Sequence, residues 1–282
     1  MNEREPRLAI RRILVALDAS THSLAALEAA AVLAASLEAE LQGLFVEDIN
    51  LLRLAGLPFA REVHYPAAGD RPLERARMER QLRALAEQAR QALVAVAGRR
   101  RVQWSFRVVR GQVSTEIMTA AQETDLLALG KASRSLTRRV PLGSTARAAA
   151  MGAPGAVLLL QHGGGVRQPV QVIYDGSPGA QRALAAAVHL APAAKAPLTV
   201  LLPADDPDTA RRLEGEAAEQ LRGVGVQAHY RRIAPAGAIS LTQVGRREGG
   251  GLLVLAAASP FLQGDALSML LEAIHVSVLV VR

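Results

Sequence analysis

Ile13–Ser20 reads ILVALDAS, and Val170–Ser177 reads VQVIYDGS. Each is a short aliphatic run that ends at an aspartate and a serine, and Asp175 stands 157 residues after Asp18. Branched apolar runs of this length predict strands buried on both faces. The match continues outward. AALEAAAVLA from Ala25 parallels RALAAAVHLA from Arg182, and both predict helices. LLALGKAS at Leu126–Ser133 parallels LLVLAAAS at Leu252–Ser259, and AVLLLQ at Ala156–Gln161 parallels SVLVVR at Ser277–Arg282. Four matched segments in one order describe a domain duplicated once, not a solenoid of short units.

Between the copies lies HGGGVRQP, His162–Pro169, whose glycines and proline interrupt both strand and helix. The expected organisation is a first domain over residues 1–161, a linker over 162–168 and a second domain over 169–282. Strands alternate with helices in each copy, which predicts parallel pairing with right-handed crossovers. In the first copy the strands are expected at Ile13–Leu17, Leu41–Val46, Val102–Val109, Leu126–Gly130 and Ala156–Gln161. The fold class is therefore α/β, two tandem doubly wound five-stranded parallel sheets of Rossmann-like type. The second copy is shorter: 77 residues separate Asp175 from Leu252, against 108 from Asp18 to Leu126. The difference falls mainly on Glu47–Asp70, a long segment that reads either as a functional loop or as disorder.

Composition narrows the function. The 282 residues contain no cysteine, which removes disulfides, thiolate metal sites and a thiol nucleophile. The start of the chain does not read as a secretory signal, and Leu24–Leu37 is too short to span a bilayer. A soluble, cytoplasmic protein with no membrane partner is expected. Residues 1–160 hold 22 Lys and Arg against 16 Asp and Glu, while the remainder is nearly balanced. Few aromatics interleave the arginines, so nucleic acid is not the expected partner. The six histidines are scattered without metal-ligand spacing.

In an open parallel sheet, ligands bind beyond the carboxyl ends of the strands, where strand order reverses. The most informative segment there is GKASRSLTRRVPLGST, Gly130–Thr145. Its glycines admit close backbone approach, Gly143-Ser144-Thr145 opens a helix with free amide groups, and Lys131, Arg134, Arg138, Arg139 and Arg147 add positive charge. That arrangement suits a polyphosphate; an ordinary strand–helix loop with a serine cap is the plainer alternative. Glu47 and Asp48, after the second strand, offer carboxylates for Mg²⁺, or form a solvated loop.

The segment resembles the nucleotide loop of ATP-binding universal stress proteins, G-x2-G-x9-G-[ST], with Ser133 in place of the second glycine. ILVALDASTHS, Ile13–Ser23, is similar to the family's opening strand and aspartate. The resemblance implies that Asp18 and the backbone around Ala16 lie against the nucleoside, and that Val46 offers backbone groups to adenine. It implies that Gly130, Ser133, Gly143 and Ser144 surround the phosphates of ATP, with or without Mg²⁺, and that Thr145 lies beside them. Members of the family commonly pair through the last strand, so an intramolecular pseudo-dimer is expected, with a homodimer also open. In the second copy Ala256 replaces Gly130, no Gly-Ser pair precedes the helix, and Asp265 replaces the cations. The expected function is stress-response regulation through ATP held by the first domain, without enzymatic turnover beyond slow hydrolysis. A nucleotide-free interaction module and a weak ATPase are the alternatives. The sequence carries no GxSxG, HExxH or Walker A pattern.

Overall fold

A computed structural model describes residues 10–64, 69–131, 142–161, 169–190, 197–234, 251–262 and 265–282. The first half runs β1 (Arg12–Leu17), α1 (Thr21–Leu37), β2 (Glu40–Asp48), α2 (Ile49–Leu54), β3 (Arg61–His64), β4 (Gly69–Pro72), α3 (Arg75–Arg100), β5 (Trp104–Gly111), α4 (Val113–Ala121), β6 (Leu126–Gly130), α5 (Ser144–Gly152) and β7 (Ala156–Leu160). The second half runs β8 (Val170–Ile173), α6 (Pro178–Leu190), β9 (Leu198–Pro203), α7 (Pro207–Leu221), β10 (Ala228–Ile233), β11 (Leu252–Ala256), a 3₁₀ turn (Pro260–Leu262), α8 (Ala266–Ala273) and β12 (Ser277–Val281).

Ten of these strands form one sheet, in the order β10-β9-β8-β11-β12-β7-β6-β1-β2-β5. Within each half the five strands are parallel and have the same order: third, second, first, fourth, last. The halves meet where β12 pairs antiparallel with β7, Leu279 opposite Leu158. These two leucines occupy the same place in the two copies. Helices α1, α3, α6 and α7 cover one face of the sheet, and α4, α5 and α8 cover the other. Equivalent helices thus lie on the same face, which makes the relation an approximate two-fold normal to the sheet. Every residue of β7 and β12 is buried. Each of these apolar strands covers the other's edge, so neither is open to aggregation.

Local sequence explains the helix boundaries that matter for the site. Helix α1 starts at Ser20, whose hydroxyl oxygen accepts from the Ser23 amide at 3.1 Å. It stops where Glu38 turns left-handed at φ 53°. Helix α5 begins at Gly143, and no side chain caps it. The second-half counterpart, α8, has Asp265 at its N-cap.

The segment after β2 is described at residues 49–64 and 69–74. It folds into α2 and the antiparallel β3–β4 pair, a two-stranded sheet of its own. In the second half only Ala204–Asp206 separate β9 from α7, which accounts for most of the shorter spacing, and α7 is itself shorter than α3. The glycine-rich linker 162–168 lies outside the described residues.

Candidate functional site

The site is set by where strands stop pairing. β1 pairs with β6 only as far as Val15 opposite Ala128, while β6 continues beside β7 to Gly130. On its other side β1 pairs with β2 until Leu17 meets Phe45. From Val46 to Asp48, β2 is flanked by β5 alone. A crevice therefore opens at the carboxyl end of β1, between strands whose crossovers leave on opposite faces.

The corner after β1 is held by local hydrogen bonds. Asp18 accepts from the Ser20 amide at 2.9 Å, and its own amide donates to the Ser23 hydroxyl at 3.3 Å. Between them Ala19 sits left-handed at φ 57°, a conformation costly to a residue with a Cβ. Asp18 is exposed at this edge, and Ala16 is half-buried within β1.

At the end of β6, Gly130 is fixed by packing. A Cβ there would stand 3.0 Å from the Cβ of His22 and 3.2 Å from its carbonyl atoms. The first turn of α1 occupies that space, so the close packing of this helix favours glycine here whether or not a ligand binds. Beyond it, the Lys131 amide donates to the Leu160 carbonyl and its own carbonyl accepts from the Gly143 amide, both at 2.9 Å. That pair of bonds draws the N-terminus of α5 to the end of β6. Ser144 is exposed there. Ala16, Asp18, Val46, Gly130, Gly143 and Ser144 thus share one carboxyl edge. The Thr145 hydroxyl is hydrogen-bonded to that of Ser114 on α4 at 3.1 Å. Ser133, Arg134, Arg138 and Arg139 lie outside the described residues.

Two cations expected at the phosphates are engaged elsewhere. Lys131 is buried, and its ammonium donates to the Ile274 carbonyl at the C-terminal end of α8. Burial lowers its pKa from 10.5 to about 8. Arg147 donates to the Ser268 hydroxyl at 2.7 Å and pairs with Glu272, both on α8. Sequence reading missed these contacts because they cross between halves. One signal was available: Lys131 is one of only two lysines in an arginine-rich chain, and its counterpart is Ala257. A slim ammonium enters a buried gap that a forked guanidinium does not.

The two carboxylates that end β2 are engaged by protein groups. Glu47 is held by the Arg110 guanidinium at 2.7 Å, and Asp48 caps α2 by accepting from the Asn50 amide at 2.8 Å. Among the described residues no group of three His, Asp or Glu side chains could hold a metal ion.

The equivalent corner of the second half is built differently. Gly176 takes the left-handed position at φ 80°. Asp175 accepts from the Ser177 amide at 3.0 Å and also from the Ser259 hydroxyl. Asp265 places a carboxylate at the N-terminus of α8.

The sequence model of the Universal stress protein family matches residues 9–161. Among solved structures, a universal stress protein from Archaeoglobus fulgidus DSM 4304 superposes with a TM-score of 0.72 at 16% identity, covering 99% of both chains. A putative universal stress protein from Pseudomonas aeruginosa UCBPP-PA14 gives 0.57 at 17% identity, covering 98% of this chain and 95% of that one. No curated protein sequence matches the chain. The structural likenesses share the fold over nearly the whole length, and the family match spans the half that carries the crevice: the chain belongs to the universal stress protein family.

Proposed function

We propose that the chain is a tandem of two universal stress protein domains, 1–161 and 169–282, that binds one adenine nucleotide, in the first domain. The observation that carries this reading is the Lys131–Gly143 staple. It sets the uncapped N-terminus of α5, with Gly143 and Ser144, at the edge where β1 and β6 part. Free amides and a helix dipole at a strand crevice suit phosphate. Asp18 and the unflanked end of β2 from Val46 suit the nucleoside. Asp265 makes the second domain unsuited to the same ligand. ATP fits the residues present. With Glu47 and Asp48 already engaged, any Mg²⁺ would be held chiefly by the nucleotide's own phosphates.

Binding rather than turnover is the activity. The loop Gly130–Thr145 itself carries no Asp, Glu, Gln or His to orient an attacking water, and phosphoryl transfer needs such a group. The protein would act in the cytoplasm by coupling nucleotide occupancy to its contacts in a stress response. Mass spectrometry of protein purified under native conditions should show co-purifying adenine nucleotide. A steady-state rate near the ~10 s⁻¹ common to enzymes would make it an ATPase instead.

A second reading, an interaction module that binds no nucleotide, is favoured by one observation. Two of the cations that would attract phosphate are committed to α8. Absence of any nucleotide binding at millimolar ATP would support it.

A further inference from the structure

Helix α5 presents its N-terminus to the crevice of the first half, yet the second half contacts it along its whole length. At the N-terminal end, Lys131 accepts the Gly143 amide through its backbone and reaches the Ile274 carbonyl with its ammonium. One turn on, Arg147 is tied to Ser268 and Glu272 of α8. At the C-terminal end, Arg282, which follows β12, donates to the Ala150 carbonyl at 2.6 Å. Ala150 lies in the last turn of α5, where carbonyls have no partner within the helix. The backbone carbonyl of Arg282 in turn accepts from the Arg182 guanidinium at 2.9 Å, which ties it to α6.

Two of these contacts are reciprocal. A cation of the first half meets the C-terminal end of α8, and a cation of the second half meets the C-terminal end of α5. Each interaction is favoured by the helix dipole as well as by the hydrogen bond. The two helices also share one buried cluster on the same face of the sheet. The crossing is absent from the sequence repeat: Lys131 corresponds to Ala257, and Arg282 to Gln161.

We infer that the second half is the positioning element for the phosphate end of the first: by gripping α5 at both ends it sets the register of Gly143 and Ser144 against β6. This rests on the nucleotide reading above. Lys131 and Arg282 are positioning residues; neither is needed to touch the ligand. A grip of this kind is reciprocal, so nucleotide on α5 must also tighten the contact between halves.

The test uses the full chain and its variants Lys131→Met, Arg282→Met and the double variant, each titrated with ATP and with adenosine. Amide exchange is followed over 144–152 and, as an internal control on the opposite face of the sheet, over 75–100. Adenosine has no phosphate, so its binding is indifferent to α5. The expected result is ATP affinity lowered about fivefold or more in the double variant, adenosine affinity unchanged, and exchange faster in α5 but not in α3. Arg282→Lys, which keeps a donor near Ala150, should retain most of the ATP affinity. If the double variant does not fold, the two single variants give the same comparison at smaller amplitude. Wild-type ATP affinity in the double variant overturns the inference, and so does an equal loss of ATP and adenosine. If the wild type binds neither ligand, the nucleotide reading fails by itself, and the exchange data decide the grip: acceleration confined to α5 upholds it, and no acceleration overturns it.

Discussion

The two corners where strand one turns into its helix have the same backbone plan and opposite side chains. In the first half the small residue stands on the strand, Gly130, and the large one on the helix, His22. In the second half the small residue stands on the helix, Gly179, and the larger one on the strand, Ala256; a Cβ on Gly179 would stand 3.0 Å from that of Ala256. Residues 22 and 179 are equivalent, as are 130 and 256. Glycine has changed sides across one contact while the contact itself has been kept. The loss of a glycine from the second nucleotide-like loop is therefore not, by itself, a sign of lost binding. It is half of a packing exchange. The difference between the halves that bears on ligands lies further along: neither helix has a side-chain cap from its N-cap residue, but Gly143 opens α5 with no charge, whereas Asp265 opens α8 with a carboxylate.

The largest expected effect concerns Lys131, whose counterpart is Ala257. Burial lowers the Lys131 pKa from 10.5 to about 8. Between those values the unfolded chain holds a proton that the folded chain has given up, so stability rises as pH increases from 8 to 10.5. The gain is about 3 kcal/mol at most. Denaturant titrations of wild type and Lys131→Met across that window should show the slope in the wild type alone. A parallel slope in both would place the ammonium in water.

Next comes the glycine exchange. Gly130→Ala should cost about 1–3 kcal/mol through overpacking against His22. Adding His22→Gly should recover only part, because the His22 backbone is also in contact. Gly179→Ala should cost a similar amount, and Ala256→Gly should relieve it more fully, since that clash is side chain on side chain. Chemical denaturation of the two double-mutant cycles measures both. Full rescue in the first cycle and none in the second would break the comparison.

The smallest effect concerns the left-handed residue of each corner. Ala19→Gly should stabilise by less than about 1 kcal/mol, because glycine relieves the αL strain but loses more chain entropy. Gly176→Ala should destabilise by about 1–2 kcal/mol, since its Cβ would also stand 3.0 Å from the Glu216 carboxylate. Thermal melts decide the sign of each.

Much of the architecture is legible from the sequence. ILVALDAS and its copy locate the first strand of each half, and the aliphatic runs at Ala156 and Ser277 locate the strands that join them. Parallel order follows from alternation, and the largely apolar runs of β7, β8, β11 and β12 mark strands buried on both faces, whereas β5 and β10 are the more exposed edges. The small β3–β4 sheet was not legible, because Arg61–Pro72 carries little apolar alternation for a pattern to reveal. At the site, Asp18, Val46, Gly130, Gly143 and Ser144 fall on the expected edge. The roles of Lys131, Arg147 and Thr145 were not legible. A cation's sequence neighbours say that it is near a loop, but its partner is set by the helix that tertiary packing brings beside it. Those partners are Ile274, Glu272 and Ser114, all distant in the chain. Glu47 illustrates the same limit: its Arg110 partner belongs to the next strand of the sheet.

The central claim is that two halves with one frame differ in whether they hold a nucleotide. Isothermal titration of the full chain with ATP tests it most directly, read beside Gly143→Val. Gly143 has φ −66° and ψ 152°, which valine adopts without strain. The backbone conformation therefore does not oppose the substitution, which adds bulk at the N-cap of α5. The expected result is one site per chain, with affinity lowered at least about tenfold by Gly143→Val, or about 1.4 kcal/mol. Two equal sites per chain, or an affinity indifferent to Gly143→Val, would contradict it.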